Sequence, residues 1–180
     1  MQVLKLISPG LIGYFRNSVT MDLQILGFKG EISSVSTTLN QINSIKESSE
    51  IIQLLNADAV AGLKHVEHGV NQAFLAFERG ENLANDLSVE IVLRCSAQRQ
   101  ISKAFDLLGL KEGPMNLCVI LIDCDDYSSQ LSSLFVRDDS VLNPDVEKLK
   151  EIYSLDDDEL KIMDVEDILI DRITKLIVDY

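Results

Sequence analysis

The segment from Glu90 to Gly109 most constrains the fold of this chain, because it combines a predicted strand with a predicted helix. Its first part, Ile91-Val92-Leu93, is a short apolar and β-branched run, which is typical of a strand covered on both faces. After a polar turn in which Ser96 is a candidate N-cap, apolar residues recur at helical spacing, at Ile101, Ala104, Phe105 and Leu108. Gly109 stands where a C-cap glycine is expected. These patterns favour an α/β fold.

The turn inside this segment is a candidate anion site. Arg94, Arg99 and Lys103 surround it, and residues 91–103 contain no acid, in a chain of net charge −13. A helix that begins at such a turn presents free backbone N–H groups and the positive end of its dipole. The alternative is an ordinary turn whose arginines are solvated, and spacing alone favours that alternative.

The distribution of charge restricts the partners that the chain can bind. Residues 138–171 hold thirteen acids against three lysines, whereas residues 64–103 hold five charges of each sign. The overall negative charge argues against a general nucleic-acid binder. Any contact with a polyanion is therefore expected in the middle of the chain. A content of 46% apolar and 25% charged residues is typical of a folded chain, and we expect a single domain over residues 1–180.

The cysteines indicate a reducing compartment. Cys95, Cys118 and Cys124 form no CxxC pair, and the first two lie in or beside apolar runs, where cysteine is usually a small buried hydrophobic residue. No window approaches the ~20 apolar residues of a membrane span, and the N-terminus does not resemble a signal peptide. We therefore predict a cytoplasmic protein without membrane association.

The same patterns predict further elements along the chain. The predicted strands are Val3–Ile7, Leu23–Phe28, Ile51–Leu55 and Leu117–Ile122. The predicted helices run from Ser33 or Ser34 to Ser48, from Ala59 to Arg79, from Tyr127 to Val136, from Asp145 to Tyr153 and from Asp164 to Val178. Together these elements predict one α/β domain in which a mixed β-sheet packs with helices and an amphipathic helix ends the chain.

The last predicted helix has a wider apolar surface than a core-facing helix needs. At ~100° per residue, its apolar residues cover an arc of about 200°, roughly twice what one core-facing stripe requires. The surplus indicates a surface that meets another protein, and a deeply embedded terminal helix is the alternative. The candidate contact residues are Leu169, Ile173, Leu176 and Ile177.

No sequence motif indicates catalysis. The chain lacks a phosphate-binding P-loop, a GxGxxG after a strand, a GxSxG elbow and a Cys/His nucleophile arrangement. His65 and His68 have no third ligand at a known metal-site spacing. The acids at residues 123–126 fit a helix N-terminus at least as well as a metal site. We expect no catalytic residues, no metal and no cofactor, and thus a protein that is not an enzyme.

Three segments resemble the small, non-catalytic, kinase-binding (TPRKB-type) subunit of the KEOPS complex, in its archaeal style. They are Asn56-Ala-Asp-Ala-Val-Ala-Gly-Leu-Lys-His65, Glu90-Ile-Val-Leu-Arg-Cys-Ser-Ala-Gln-Arg-Gln-Ile101, and the tail with Lys150-Glu-Ile-Tyr-Ser-Leu155 and Leu169-Ile-Asp-Arg-Ile173. The similarity covers roughly residues 50–178 and is closest over 56–110. Ala97 stands where glycine is expected in many relatives.

The resemblance implies two partners. One is the small atypical kinase of the complex, which is contacted partly through the C-terminal helix. The kinase in turn links this subunit to the threonylcarbamoyl-transferase subunit. The other is the 3′ CCA end of tRNA, which the complex modifies with threonylcarbamoyl-adenosine. The residues expected to hold that end are Lys64, His65, Arg94, Ser96, Arg99 and Gln100. The alternative is a purely protein–protein regulator of the kinase that does not bind RNA.

Overall fold

The computed structural model describes residues 4–6 and 21–178, and in them five strands form one sheet. The strands are β1 (Leu4–Leu6), β2 (Met21–Ile32), β3 (Ile51–Asn56), β4 (Gly113–Ile122) and β5 (Val136–Arg137). Their order is β1-β2-β4-β3, and β5 pairs with β2. All pairings in this part of the chain are antiparallel. The α/β class is confirmed. In the described residues the sheet is antiparallel and not mixed, because β4 lies between the parallel strands β2 and β3 and keeps them from pairing.

Eight α-helices accompany the sheet in residues 21–178. They are α1 (Val35–Ile45), α2 (Leu63–Arg79), α3 (Leu87–Cys95), α4 (Ile101–Leu108), α5 (Ser128–Leu134), α6 (Val146–Tyr153), α7 (Asp157–Leu160) and α8 (Val165–Val178). Several begin or end at the predicted residues. Ser34 caps α1, Asp145 caps α6, and Gly80 ends α2 in the left-handed conformation at φ 70°. None of the helices in this part of the chain is long and apolar enough to cross a lipid bilayer.

Strand β4 separates two hydrophobic cores. Successive side chains of a strand point to opposite faces, and here both faces are covered. One face carries Leu117, Val119 and Leu121, and packs against residues of α1 and α5. The other face carries Cys118, Ile120 and Ile122, and packs against residues of α2, α3, α4 and α8. The larger group of helices, on this second face, and the turn between α3 and α4 contain all the predicted contact residues.

The segment from Glu90 to Gly109 differs from its prediction, because Ile91–Leu93 lies in helix α3 and not in a strand. Asp86 caps this helix by accepting the backbone N–H of Val89 at 3.1 Å. Residues 90–96 are all buried. A helix buried on every side has the same apolar run as a buried strand, so periodicity does not separate the two. Helix α4 and the C-cap position of Gly109 are confirmed.

Helices α2 and α3 approach each other closely at Gly69. A Cβ atom at this position would clash with Sγ of Cys95 and would lie only 3.0 Å from its Cα. Val66 and Val70, on either side of Gly69 along α2, are fully buried. The missing side chain at Gly69 therefore sets the distance between the two helices and the burial of the residues around it.

We expect the Gly69→Ala substitution to lower the free energy of unfolding by about 1–3 kcal/mol, because the added methyl overpacks the contact with Cys95. The higher helix propensity of alanine offsets only ~1 kcal/mol of the steric penalty. Urea denaturation measures the difference. Glu78→Ala, at an exposed position of the same helix, is the matched control and should stay within ~0.5 kcal/mol of wild type. A Gly69→Ala protein as stable as wild type would show that the two helices separate without loss.

Candidate functional site

The predicted anion site lies at the turn of residues 96–100, which joins α3 to α4. Helix α3 ends there in a Schellman motif, in which Ala97 N–H donates to the Arg94 carbonyl at 2.9 Å and Gln98 N–H to the Leu93 carbonyl at 3.1 Å. Ala97 has a φ of 51°, in the left-handed region that favours glycine. The glycine expected here in many relatives would therefore adopt this conformation without strain.

Helix α4 begins at this turn without a side-chain cap. Gln100 occupies the N-cap position, but its side chain makes no capping hydrogen bond, and the first turn of α4 contains no acid. Lys103 lies in that first turn and is exposed. The positive end of the helix dipole and a lysine are thus close together, which favours an anion at this end of α4.

Arg94 is not available to a ligand, because its side chain is only 2% exposed. Its Nε donates to Oε1 of the buried Glu90 at 2.7 Å, and its Nη2 donates to the Glu81 carbonyl at 3.3 Å. The other oxygen of Glu90 accepts the backbone N–H groups of Leu83 at 2.9 Å and Ala84 at 2.8 Å. The expected contact between Arg94 and a phosphate is therefore wrong. The ion pair fastens α3 to the loop before it.

Ser96 and His65 are buried as well, so neither is the direct contact that was expected. The Oγ of Ser96 donates to the Leu93 carbonyl at 3.0 Å, at the end of α3 and not at the start of α4. His65 Nδ1 accepts the Ala61 N–H at 3.0 Å, so Nε2 carries the proton and donates to the Cys95 carbonyl at 2.8 Å. Burial lowers the pKa of His65 to about 4. The imidazole is thus neutral near pH 7 and joins the start of α2 to the end of α3.

The remaining predicted RNA contacts, Lys64, Arg99 and Gln100, are exposed. Lys64 lies at the start of α2, where its backbone N–H donates to Oε1 of Glu166 at 2.9 Å. The guanidinium of Arg99 donates to the carbonyl of Leu176 at 3.0 Å. Glu166 and Leu176 are ten residues apart on α8, which is about 15 Å along a helix axis. The backbone of Lys64 and the side chain of Arg99 therefore contact α8 at two separate points.

A cavity of about 350 Å³ adjoins the turn. Its lining includes residues 96–98 of the turn, Lys103 and Asp106 of α4, and Arg172 of α8. Arg172 is held in place by hydrogen bonds to the Tyr153 carbonyl at 2.9 Å and to Glu159 at 3.0 Å. No pattern in the sequence indicates that Arg172 lies beside the turn, because only the packing of α8 brings the two together.

Glu166 of α8 caps the N-terminus of α2. Its Oε1 accepts the backbone N–H of Lys64 at 2.9 Å and that of His65 at 3.3 Å. Gly62, at the N-cap with a φ of 113°, allows this contact, because a Cβ there would come within 2.5 Å of the same oxygen. A carboxylate of the protein itself thus occupies the anion site that this helix end would otherwise offer.

Helix α8 contributes much of its apolar arc to the protein's own core. Leu169 and Ile173 are 0% exposed, so the expectation that both dock on a partner is wrong. The arc is wide because α8 packs against both α2 and α3. Leu176 and Ile170 are half-buried. Ile177 belongs to α8, but its side chain lies outside the described residues.

The histidines do not form part of a metal centre in the described structure. Within residues 4–6 and 21–178, no group of three or more His, Cys, Asp or Glu side chains is arranged to hold a metal ion. His68 is a helix-packing residue, since its Nε2 lies 2.9 Å from Oγ1 of Thr174 on α8.

Comparison with known proteins gives two matches. Residues 30–175 match the family model described as kinase binding protein CGI-121. The chain is also similar to the regulatory protein Cgi121 of Methanocaldococcus jannaschii, with 39% identity over 107 residues. That alignment covers 57% of this chain and 70% of the relative.

The buried position of Arg94 generates a prediction about stability. We expect Arg94→Met to lower the free energy of unfolding by about 3–5 kcal/mol, because it leaves the charge of Glu90 buried without its partner. The double variant Glu90→Gln, Arg94→Met should recover a large part of that loss, since a neutral amide oxygen can still accept the N–H groups of Leu83 and Ala84. Chemical denaturation of wild type and the two variants measures both effects. Equal stability of Arg94→Met and wild type would refute a structural role for the pair.

Proposed function

The chain belongs to the CGI-121 family of kinase-binding proteins, and from this premise we propose that it is a non-catalytic subunit of the KEOPS complex that binds the small atypical kinase of that complex. The match over residues 30–175 carries the proposal. The name of the relative from Methanocaldococcus jannaschii, a regulatory protein, agrees with it. A regulatory subunit also fits a sequence without any recognisable catalytic motif.

Helix α8 supplies the surface for the kinase in this proposal. Ile170 is half-buried and lies about 60° beyond Ile173 around the helix, at ~100° per residue, on the edge of the buried stripe. We also propose Ile177, seven residues later in the sequence, as a contact residue. The residues that contact the kinase are thus the apolar edge of α8, while Leu169 and Ile173 hold the helix on its own core.

The proposed subunit also holds the 3′ end of tRNA at the turn of residues 96–100. Support comes from the exposed side chains of Arg99, Gln100 and Lys103 beside the uncapped start of α4. An unpaired nucleotide tail can splay its bases into a neighbouring cavity, which suits such a turn. Lys64 would contact the tRNA at a second point. His65, Arg94 and Ser96 would act indirectly, by holding the turn in place.

A regulator of the kinase that does not bind RNA is the second candidate function. Two observations favour it, namely the net charge of −13 and the burial of His65, Arg94 and Ser96. In that case the turn would serve only to connect α3 and α4. The two candidates share the kinase partner and differ in whether tRNA binds.

For the kinase, we expect Ile170→Arg to weaken binding by about tenfold or more, because a charge replaces an apolar contact in the interface. The protein should still melt close to the wild-type temperature. Ile173→Arg is the matched contrast and should unfold, since it buries an unpaired charge. Calorimetry with the small atypical kinase encoded in the same genome, together with thermal melting by circular dichroism, measures both. Unchanged kinase affinity of Ile170→Arg would exclude this side of α8.

For tRNA, we expect removal of the CCA end and the Arg99→Glu substitution each to abolish most of the binding. Few phosphates are contacted, so affinity should fall with salt on a shallow slope. Arg79→Glu, an equal charge change at an exposed position at the far end of α2, is the control. Lys103→Glu tests the turn without disturbing the contact of Arg99 with α8. Fluorescence anisotropy measures all of these. Equal binding of trimmed and intact tRNA would leave the kinase regulator as the function.

A further inference from the structure

The turn between α7 and α8 exposes two apolar side chains to solvent. Ile162 is 82% exposed and Met163 is 40% exposed. The backbone of this turn is well fixed, since the N–H groups of both residues donate to the Glu159 carbonyl at 3.0 Å. Asp156 starts α7 with a capping box, and Asp164 accepts the Asp167 N–H at 2.9 Å at the start of α8. A capped helix thus flanks the apolar pair on each side.

Acidic side chains surround this apolar pair. Residues 156–167 contain seven acids and one lysine, a net charge of −6. Some of the acids are neutralised, because Lys150, Lys161 and Arg172 pair with acids of α7. Three others are exposed and form no ion pair within residues 21–178, namely Asp156, Asp164 and Asp167. The surface therefore combines an apolar centre with a negatively charged rim.

The negative charge of this rim restricts which kind of partner can bind there. Nucleic acids and anionic membranes carry negative phosphates, which the rim repels. A second copy of the chain on a two-fold axis would bring two acidic segments together. A protein surface with an apolar recess and basic residues around it is complementary in both respects. The turn also leads directly into α8, the helix that the proposed function assigns to the kinase.

We infer that the Ile162–Met163 turn is a second contact point for the kinase, and that it inserts into an apolar recess whose rim is basic. The inference rests on the proposed kinase binding and adds a site and a chemistry to it. The apolar side chains stabilise the complex once it forms. The acids attract the basic rim over a longer distance and speed up association at low salt.

The test measures binding of the small atypical kinase to matched pairs of variants. Ile162→Asp should weaken the affinity by about tenfold or more, whereas Val136→Asp, at a β-branched residue of β5 that is 71% exposed, should not change it.

Asp167→Lys should slow association severalfold, and Glu78→Lys, at an exposed position at the far end of α2, should not. The effect of Asp167→Lys should vanish at high salt, because exposed charges are then screened. All four variants change exposed side chains and should melt near the wild-type temperature.

Three results would overturn the inference, and they differ in what they say of the proposed function. If wild type binds the kinase and Ile162→Asp binds it equally well, the turn is not a contact point and the proposed function stands. If wild type does not bind the kinase, both the proposed function and the inference about the turn fail. If sedimentation shows a dimer of wild type that Ile162→Asp dissociates, the turn docks on a second copy of this chain instead.

Discussion

The burial of β4 on both faces is the constraint on which the rest of the structure depends. From Leu117 to Ile122, every residue is at most 2% exposed, so each face of the sheet must be covered. Helices α1 and α5 cover one face. The other face needs α2 and α3 together with α8, which is far from both in sequence, and the three helices must fit together tightly. Gly69 and Gly62 make that fit possible, by admitting Cys95 and Glu166 at short distances.

Local signals in the sequence predict most of this fold. The strand at Leu117–Ile122 and the helices that begin after Ser34 and Asp145 are each indicated by an apolar pattern and a turn or cap. The sequence does not reveal that Ile91–Leu93 is helical, because burial on all sides removes the period by which a helix is recognised. Asp86 was the available signal, as an N-cap just before the run. Nor does it reveal that all described strand pairs are antiparallel, since that depends on which strands become neighbours.

The candidate site was harder to predict, because exposure depends on packing between distant segments. Glu90 and Arg94 are four residues apart, and once α3 is known to be a helix this spacing indicates an ion pair. The burial of that pair follows only from the tertiary structure. The same holds for α8, whose apolar arc is as compatible with two core contacts as with a partner.

The carboxylate of Glu166 at the start of α2 has a consequence for how the chain is made. Glu166 follows Lys64, whose N–H it accepts, by 102 residues. A ribosome therefore releases α2 long before the helix that completes it, and domains emerge at only ~5–20 residues per second. Until α8 has left the exit tunnel, the first turn of α2 lacks its acceptor and the apolar face that α8 covers stays in water. Folding of this core is thus a late event in translation. A chain that stops short of α8 leaves an exposed apolar surface that chaperones and proteases recognise.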